Sequence, residues 1–292
     1  MHELLELKEI HMNTNIKQKE YWSGPAGKVW VEGKVEKDNM LLPLGNAALN
    51  RSNISDGMTA LEVGCGTGYV MAQLSSKVGE FGKVYGVDIS QTMINEAENY
   101  LKHLGIMNTE CKVLDVENDP LDESFYDSVF SRFGVMFFSN PIKAFNNINK
   151  SLKKNAYITF ICWQEQKLNP WNGIPLDIVK KYIELPTLNE RAPSPFAFAS
   201  KDYTYNILRD THFKKIEINS HDENIELYKD LNLKDAIKEY LYKTPIFTKQ
   251  FLAMSDKNKS KLFEDLQLKL KKYYHKKVLK FPSKTWIIRA QK

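Results

Sequence analysis

Leu61-Glu62-Val63-Gly64-Cys65-Gly66-Thr67-Gly68 is the stretch whose reading sets the fold. The short apolar run ending at Val63 has the composition of a buried strand, and the residues after Gly68 have the pattern of a helix. Strand, glycine turn and helix form the opening unit of an open α/β sheet, whose ligands bind in the crevice beyond the carboxyl ends of the strands. Glycines there let the chain turn tightly and come close to a ligand with no Cβ in the way. No Gly-Lys-Ser/Thr follows, which excludes a P-loop. A dinucleotide fingerprint would need a third glycine where Tyr69 stands.

Working outward, the alternation continues. Residues 83–89 read as a second strand, 91–104 as a helix stopped at Gly105, and 111–114 and 126–130 as further strands. A helix over 141–152 and a strand over 157–163 complete the regular part. This rhythm predicts a mostly parallel sheet with helices on both faces. Two acids stand at strand ends. Asp88 lies twenty positions past Gly68, where an acid can accept hydrogen bonds from ribose hydroxyls. Asp115 lies where an adenine edge would come. Either acid alone also suits an ordinary turn or helix cap, and their joint placement on successive strands favours a nucleoside ligand.

After Trp163 the rhythm breaks. Residues 164–200 are rich in Pro, Asn and aromatics. A helix over 202–210 and a strand over 215–219 follow, 222–274 read as largely helical and charged, and 285–290 as a last strand. At the other end, 25–50 read as helices containing Pro43. With 292 residues, 42% of them hydrophobic, one domain with insertions fits better than two independent domains. No apolar run reaches the ~18 residues of a membrane span and no secretory leader is visible, so a cytoplasmic location is expected. Met12 is a candidate natural start, with 1–11 an upstream extension. Cys65, Cys111 and Cys162 have no metal spacing and suggest no disulfide framework. The net charge of +5 is modest, with lysines gathered near the C-terminus, most simply as a solvated face.

Glu62-x-Gly-x-Gly-x-Gly68 followed by Gly86-Val-Asp88-Ile-Ser resembles the class I S-adenosylmethionine-dependent methyltransferases. The resemblance runs on through Tyr21-Trp-Ser-Gly-Pro-Ala-Gly-Lys-Val-Trp30, Ser131-Arg-Phe-Gly-Val-Met-Phe-Phe138, Cys162-Trp-Gln164, Asn169-Pro-Trp171 and Pro195-Phe-Ala-Phe198. These look like a bacterial subgroup near the ubiquinone and menaquinone C-methyltransferases. The resemblance implies a Rossmann-like sheet whose last strand is antiparallel. It implies a methyltransferase domain over 51–292 with insertions at about 164–200 and 222–274, and a helical segment over 1–50 that caps the donor site. The donor would be S-adenosylmethionine. Glu62 and the backbone of Gly64, Cys65, Gly66 and Gly68 would hold its methionine part, and Arg132 would line that end. Asp88 would take the ribose, Ile89 and Met93 the adenine faces, and Asp115 with the Val116 backbone the adenine edge. Tyr21 and Trp30 would close the site.

Trp163, Gln164, Trp171, Phe196 and Phe198 would suit an apolar or planar small-molecule acceptor. The family's Pro-Gly-Gly before the fifth strand is missing, and Asn155 is expected to make that turn, since Asn tolerates left-handed geometry. The Asn/Asp-Pro-Pro-Tyr signature of amide and base methylation is also missing after the fourth strand. Small-molecule C- or O-methylation is left, without a nucleic-acid partner. The alternatives are an RNA-directed methyltransferase tracking phosphates with its lysines, or a non-catalytic S-adenosylmethionine-binding protein. No histidine stands out as a catalytic base. His212 precedes a strand, His103 ends a helix, and His2, His11, His221 and His275 read as belonging to polar segments.

Overall fold

The computed structural model describes residues 15–185 and 191–292. Met12, His2 and His11 lie outside them. The strands are β1 (Thr59–Val63), β2 (Lys83–Asp88), β3 (Thr109–Val113), β4 (Tyr126–Arg132), β5 (Leu152–Trp163), β6 (Lys214–Leu227), β7 (Tyr274–His275) and β8 (Val278–Gln291). They form one sheet in the order β3-β2-β1-β4-β5-β8-β6, with β7 paired to β8. β1 to β5 run parallel, while β8 is antiparallel to both its neighbours, β5 and β6. The order turns back at β1, where the chain leaves toward β2 on one side and β4 lies on the other. That is the switch point at which an open α/β sheet forms its crevice.

The helices are α1 (Pro25–Glu32), α2 (Lys34–Arg51), α3 (Tyr69–Val78), α4 (Gln91–His103), α5 (Pro141–Ser151), α6 (Pro170–Val179), α7 (Lys201–Asp210), α8 (Leu233–Lys243), α9 (Thr248–Ala253) and α10 (Asp256–Leu270). Local chemistry sets their ends. Ser90, Asn140, Ser200, Asn232 and Ser255 each accept a backbone N–H from their own first turn. Gly105 follows α4 with φ +69°, the left-handed stop that glycine makes without strain. Asn155 has φ +66° where the β4–β5 pairing shifts register, so it makes the turn expected of it. The sheet's central strands are sealed on both faces: Leu61, Val129, Phe130, Ile158 and Phe160 have no exposed surface.

Three expectations are corrected. β5 begins at Leu152, before the turn at Asn155. Residues 222–227 are not helical. They extend β6, pairing from Asp222↔Lys284 to Leu227↔Leu279 and raising a two-stranded arm above the sheet. Lys284 and Lys280 meet Asp222 and Glu226 across this arm, pairs too far apart in sequence for local patterning to reveal. His221, read as part of a polar segment, therefore sits within β6, paired with Thr285.

Candidate functional site

β1 ends at Val63, and Gly64, Gly66 and Gly68 follow with φ of +71°, +53° and +84°. A Cβ on Gly64 would lie 2.8 Å from the Gly134 Cα, and one on Gly68 3.1 Å from Ala97. Gly66 faces open space. The loop is tied to β2, because the Gly64 and Cys65 amides both donate to the Val87 carbonyl, at 2.8 and 3.1 Å. The Asp88 carboxylate accepts from the Gly66 amide at 3.0 Å and the Ser90 amide at 2.9 Å. Burial raises Asp88 to about 6 against the pull of these amides. The Cys65 side chain is turned inward. Burial, then the charges of Asp88 and Glu62, push its thiol well up.

Glu62 is 1% exposed, and its Oε2 has no partner among the described residues. Burial lifts its carboxyl well above the usual range. Arg132 pulls it back, and Asp38 and Asp88 push it further up. Arg132 is on β4, one alternation beyond Phe130, the residue paired with Glu62, so both side chains share a face of the sheet. Its Nη2 donates to Asp38 at 2.5 Å, its guanidinium lies 5.5 Å from the centre of the Tyr69 ring, and its Nη1 has no partner among the described residues. An unsatisfied acceptor and an unsatisfied donor are thus both buried on this face, near the β1 and β4 tips. Leaving such atoms unpaired is costly, so a pair of them marks a place for a ligand.

Asp115, just past β3, accepts from the Glu117 amide at 3.0 Å and from Asn118 at 2.6 Å. The same Oδ2 also accepts from the Asn15 carboxamide. The Val116 carbonyl accepts from Asn147 at 2.9 Å, which pins the loop. Met93 is buried and Ile89 half-buried at the start of α4. The N-terminal residues meet this region at several points. Ser90 and Thr92 donate to the carbonyls of Trp22 and Ser23 at 2.8 and 3.0 Å, and Lys34 pairs with Glu96. Tyr21 is exposed and packs edge-on against Trp22 at 5.4 Å, and Trp22 packs against Trp30 at 6.0 Å and Phe137 at 4.9 Å.

Beyond the β4 and β5 tips, Phe133 stacks on Trp163 at 4.5 Å, Trp163 meets Trp171 at 4.8 Å, and Trp171 meets Phe196 at 6.3 Å. Phe133 holds φ +58°, a conformation glycine normally takes, and this turns its ring onto Trp163. Gln164 and Phe198 sit elsewhere. The Gln164 amide is buried and clamps Ser220 and the Thr285 carbonyl at 2.7 and 2.8 Å. Phe198 is 1% exposed among Phe145, Phe160 and Tyr203 in the core.

Sequence reasoning missed Asp38, Trp22, Asn15 and Phe133. Asp38 left a trace: it shares the buried stripe of α2 with Leu41, Leu44 and Ala48, and an acid in an apolar stripe needs a buried partner. Phe133 left none, because nothing in its neighbours announces a left-handed residue. Among the described residues no group of His, Cys, Asp and Glu could hold a metal ion.

Comparison with known proteins agrees with this fold. An aklanonic acid methyltransferase from Streptomyces is 29% identical over 118 residues, 40% of this chain and 54% of that protein. The ubiquinone/menaquinone C-methyltransferase of Blochmanniella pennsylvanica is 34% identical over 112 residues, 38% of this chain and 44% of that protein. The matches thus span about half the length of these relatives. Among solved structures, a SAM-dependent methyltransferase from Aquifex aeolicus aligns with a TM-score of 0.50 at 25% identity, covering 70% of this chain and 93% of that one. A putative methyltransferase from Bacillus halodurans has the same fold, with a TM-score of 0.55 at 15% identity over 85% of this chain and 97% of that one. The family model described as a methyltransferase domain matches residues 54–210, from just before β1 to the end of α7. That is more than half of the chain, and the protein belongs to this methyltransferase domain family.

Proposed function

We propose that this protein transfers the methyl group of S-adenosylmethionine to a carbon or oxygen of a small, planar, largely apolar acceptor. The carrying observation is the pair of buried, unpartnered atoms at Glu62 and Arg132 beside the left-handed glycine loop. One is an acceptor and the other a donor, and a methionine head group offers an ammonium to the first and a carboxylate to the second. The loop backbone of Gly64, Cys65, Gly66 and Gly68 lies alongside. Asp88 receives the ribose hydroxyls, since each of its oxygens keeps a lone pair after its one amide contact. Ile89 and Met93 pack on the adenine, and Asp115 with the Val116 backbone takes its edge. The helices up to residue 50, with Tyr21 and Trp30, close over the donor.

S-adenosylmethionine supplies an already activated methyl on a positive sulfur. The chain therefore has to orient the two reactants and keep water out. Its acids serve the ends of the donor, because a carboxylate held at the sulfonium would stabilise the ground state, whose charge is lost in the reaction. In the aromatic row, Trp171 and Phe196 are only half-buried and offer surface to the acceptor, while Phe133 and Trp163 are buried behind them and support it. Gln164 and Phe198, committed to other contacts, are left out of that surface. Glu62, Asp88 and Asp115 stand at or just past the ends of neighbouring strands, which favours an adenosyl ligand over a nicotinamide dinucleotide, and no nucleic acid is required. The protein works in the cytoplasm.

Calorimetry with S-adenosylhomocysteine and with NAD tests the donor. Micromolar binding of the first and none of the second is expected, and the reverse overturns the reading. Incubating cell extract with methyl-labelled donor and the protein then identifies the acceptor as the metabolite that gains label. Label found in RNA would instead favour the nucleic-acid alternative.

A further inference from the structure

The charge of this chain is unevenly placed. Residues 229–277, which build α8, α9, α10 and β7, contain thirteen lysines and six acids, a net of +7. The whole chain carries +5, so everything outside this helical cap sums to −2. Only two of the thirteen lysines are in ion pairs with described residues. Lys238 pairs with Asp235 and Lys243 with Glu239, each within α8.

Exposed apolar side chains stand among these lysines. Leu268 is 73% exposed, Tyr242 54%, Leu252 52% and Ile246 38%. On α10, Leu262, Leu266 and Leu270 point inward, and the opposite face presents Lys257, Lys261 and Leu268 at helical spacing. The three helices are tied to one another. The Tyr242 ring meets Phe251 edge-on at 5.3 Å, and Lys259 donates to the Leu252 carbonyl at 2.9 Å.

We infer that this cap docks on an anionic phospholipid surface. A merely solvated face gains nothing from exposed leucines, whereas lysines surrounding apolar points match a headgroup layer above acyl chains. The absence of arginine from residues 229–277 argues against nucleic acid, where the planar guanidinium is favoured for bidentate phosphate contacts. The cap is also joined to the aromatic row. α10 packs on α6, which carries Trp171, and the Tyr182 hydroxyl donates to Asp265 at 2.9 Å. An apolar acceptor dissolved in the bilayer would meet the site from this side. That last step rests on the proposed function, while the docking does not.

The test uses the full chain and sedimentation with lipid vesicles, either phosphatidylcholine alone or with about 30% phosphatidylglycerol, an anionic leaflet of the kind that attracts basic segments. Binding is expected only with the anionic vesicles. A Lys249→Gln, Lys257→Gln, Lys261→Gln triple variant should bind about a hundredfold more weakly, since each lysine near the leaflet contributes about fivefold. Leu252→Ser with Leu268→Ser should weaken binding about tenfold. Both variants change exposed side chains, and an unchanged melting temperature and unchanged S-adenosylhomocysteine affinity confirm that each is folded. Failure to sediment with anionic vesicles overturns the inference. So does binding that ignores the leucine changes and is displaced by duplex RNA at equal phosphate, which would reveal a plain polyanion patch. Neither failure touches the donor reading, which calorimetry decides without lipid.

Discussion

The donor side and the arm-and-cap side of the sheet are built by different rules. β1, β2 and β4 are five to seven residues long, parallel and in register, and their tips end at nearly one level. β6 and β8 are fourteen residues long and antiparallel, and they rise past that level to carry α8 to α10. The family model covers the first construction and stops before the second. A ligand gripped by three strands at once demands a fixed register, because a one-residue slip turns a side chain to the other face. An arm carrying helices makes no such demand, so its length and charge can vary with the partner. On this account, changes at the tips should abolish donor binding, and changes in the cap should leave it intact.

The largest expected effect is at Arg132. Arg132→Met removes the partner of Asp38 and the charge facing Glu62, leaving two buried acids unopposed. Breaking such a pair costs about 3–5 kcal/mol. Urea denaturation should show that loss, and S-adenosylhomocysteine binding should fall below detection. A variant as stable as the parent would mean that the cluster is hydrated and no place for a head group. Asp88→Ala comes next. It should weaken donor binding by about 1–3 kcal/mol, the range for losing a partner of polar groups. Unchanged affinity would remove the ribose from this strand.

Protonation separates the two sides as well. Asp88, raised to about 6, and Glu62, raised well above its usual range by burial, would both have to be ionised to receive hydroxyls and an ammonium as proposed. The sign follows: ligand favours the charged forms, so affinity should fall as pH drops through about 6, and binding at neutral pH should release protons. Calorimetry in buffers of different ionisation enthalpy measures that release. A flat affinity from pH 5 to 8 would contradict the assignment of both acids. Vesicle binding by the cap does not involve these two acids, so it should not follow the same curve.

The tips were the part most legible in the sequence, since Glu62, the glycines, Asp88 and Asp115 lie in or next to the short apolar strands that position them. Asn155, too, was readable from its own chemistry. The arm was not. Residues 222–227, Asp-Glu-Asn-Ile-Glu-Leu, look like a charged helix or loop until Lys280 and Lys284 are set opposite them, and that pairing spans more than fifty residues. Gln164 and Phe198 were read as acceptor contacts because their residue types suit a pocket, yet the same types serve a buried clamp and a core. Residue type alone does not say which side of a strand tip faces a ligand.

The smallest effect is the most diagnostic, because it falls where the N-terminal segment meets the tips. Asn15 is buried, and its carboxamide donates to the Asp115 Oδ2 that an adenine amino group would use. Asn118 donates to the same oxygen. A carboxylate oxygen offers about two lone-pair sites, so an adenine amine has to displace one of these donors. Asn118 is local to the loop, whereas Asn15 comes from a helical segment one hundred residues away, and it is the contact more easily given up. Asn15→Ala should therefore tighten S-adenosylhomocysteine binding by about 1 kcal/mol, the net worth of the hydrogen bond no longer broken. Adenosine should gain by the same factor, and a ligand with only the methionine half should gain nothing. If Asn15→Ala instead weakens binding, the carboxamide helps to hold the adenine, and the N-terminal helices belong to the donor site's own construction, as the tips do.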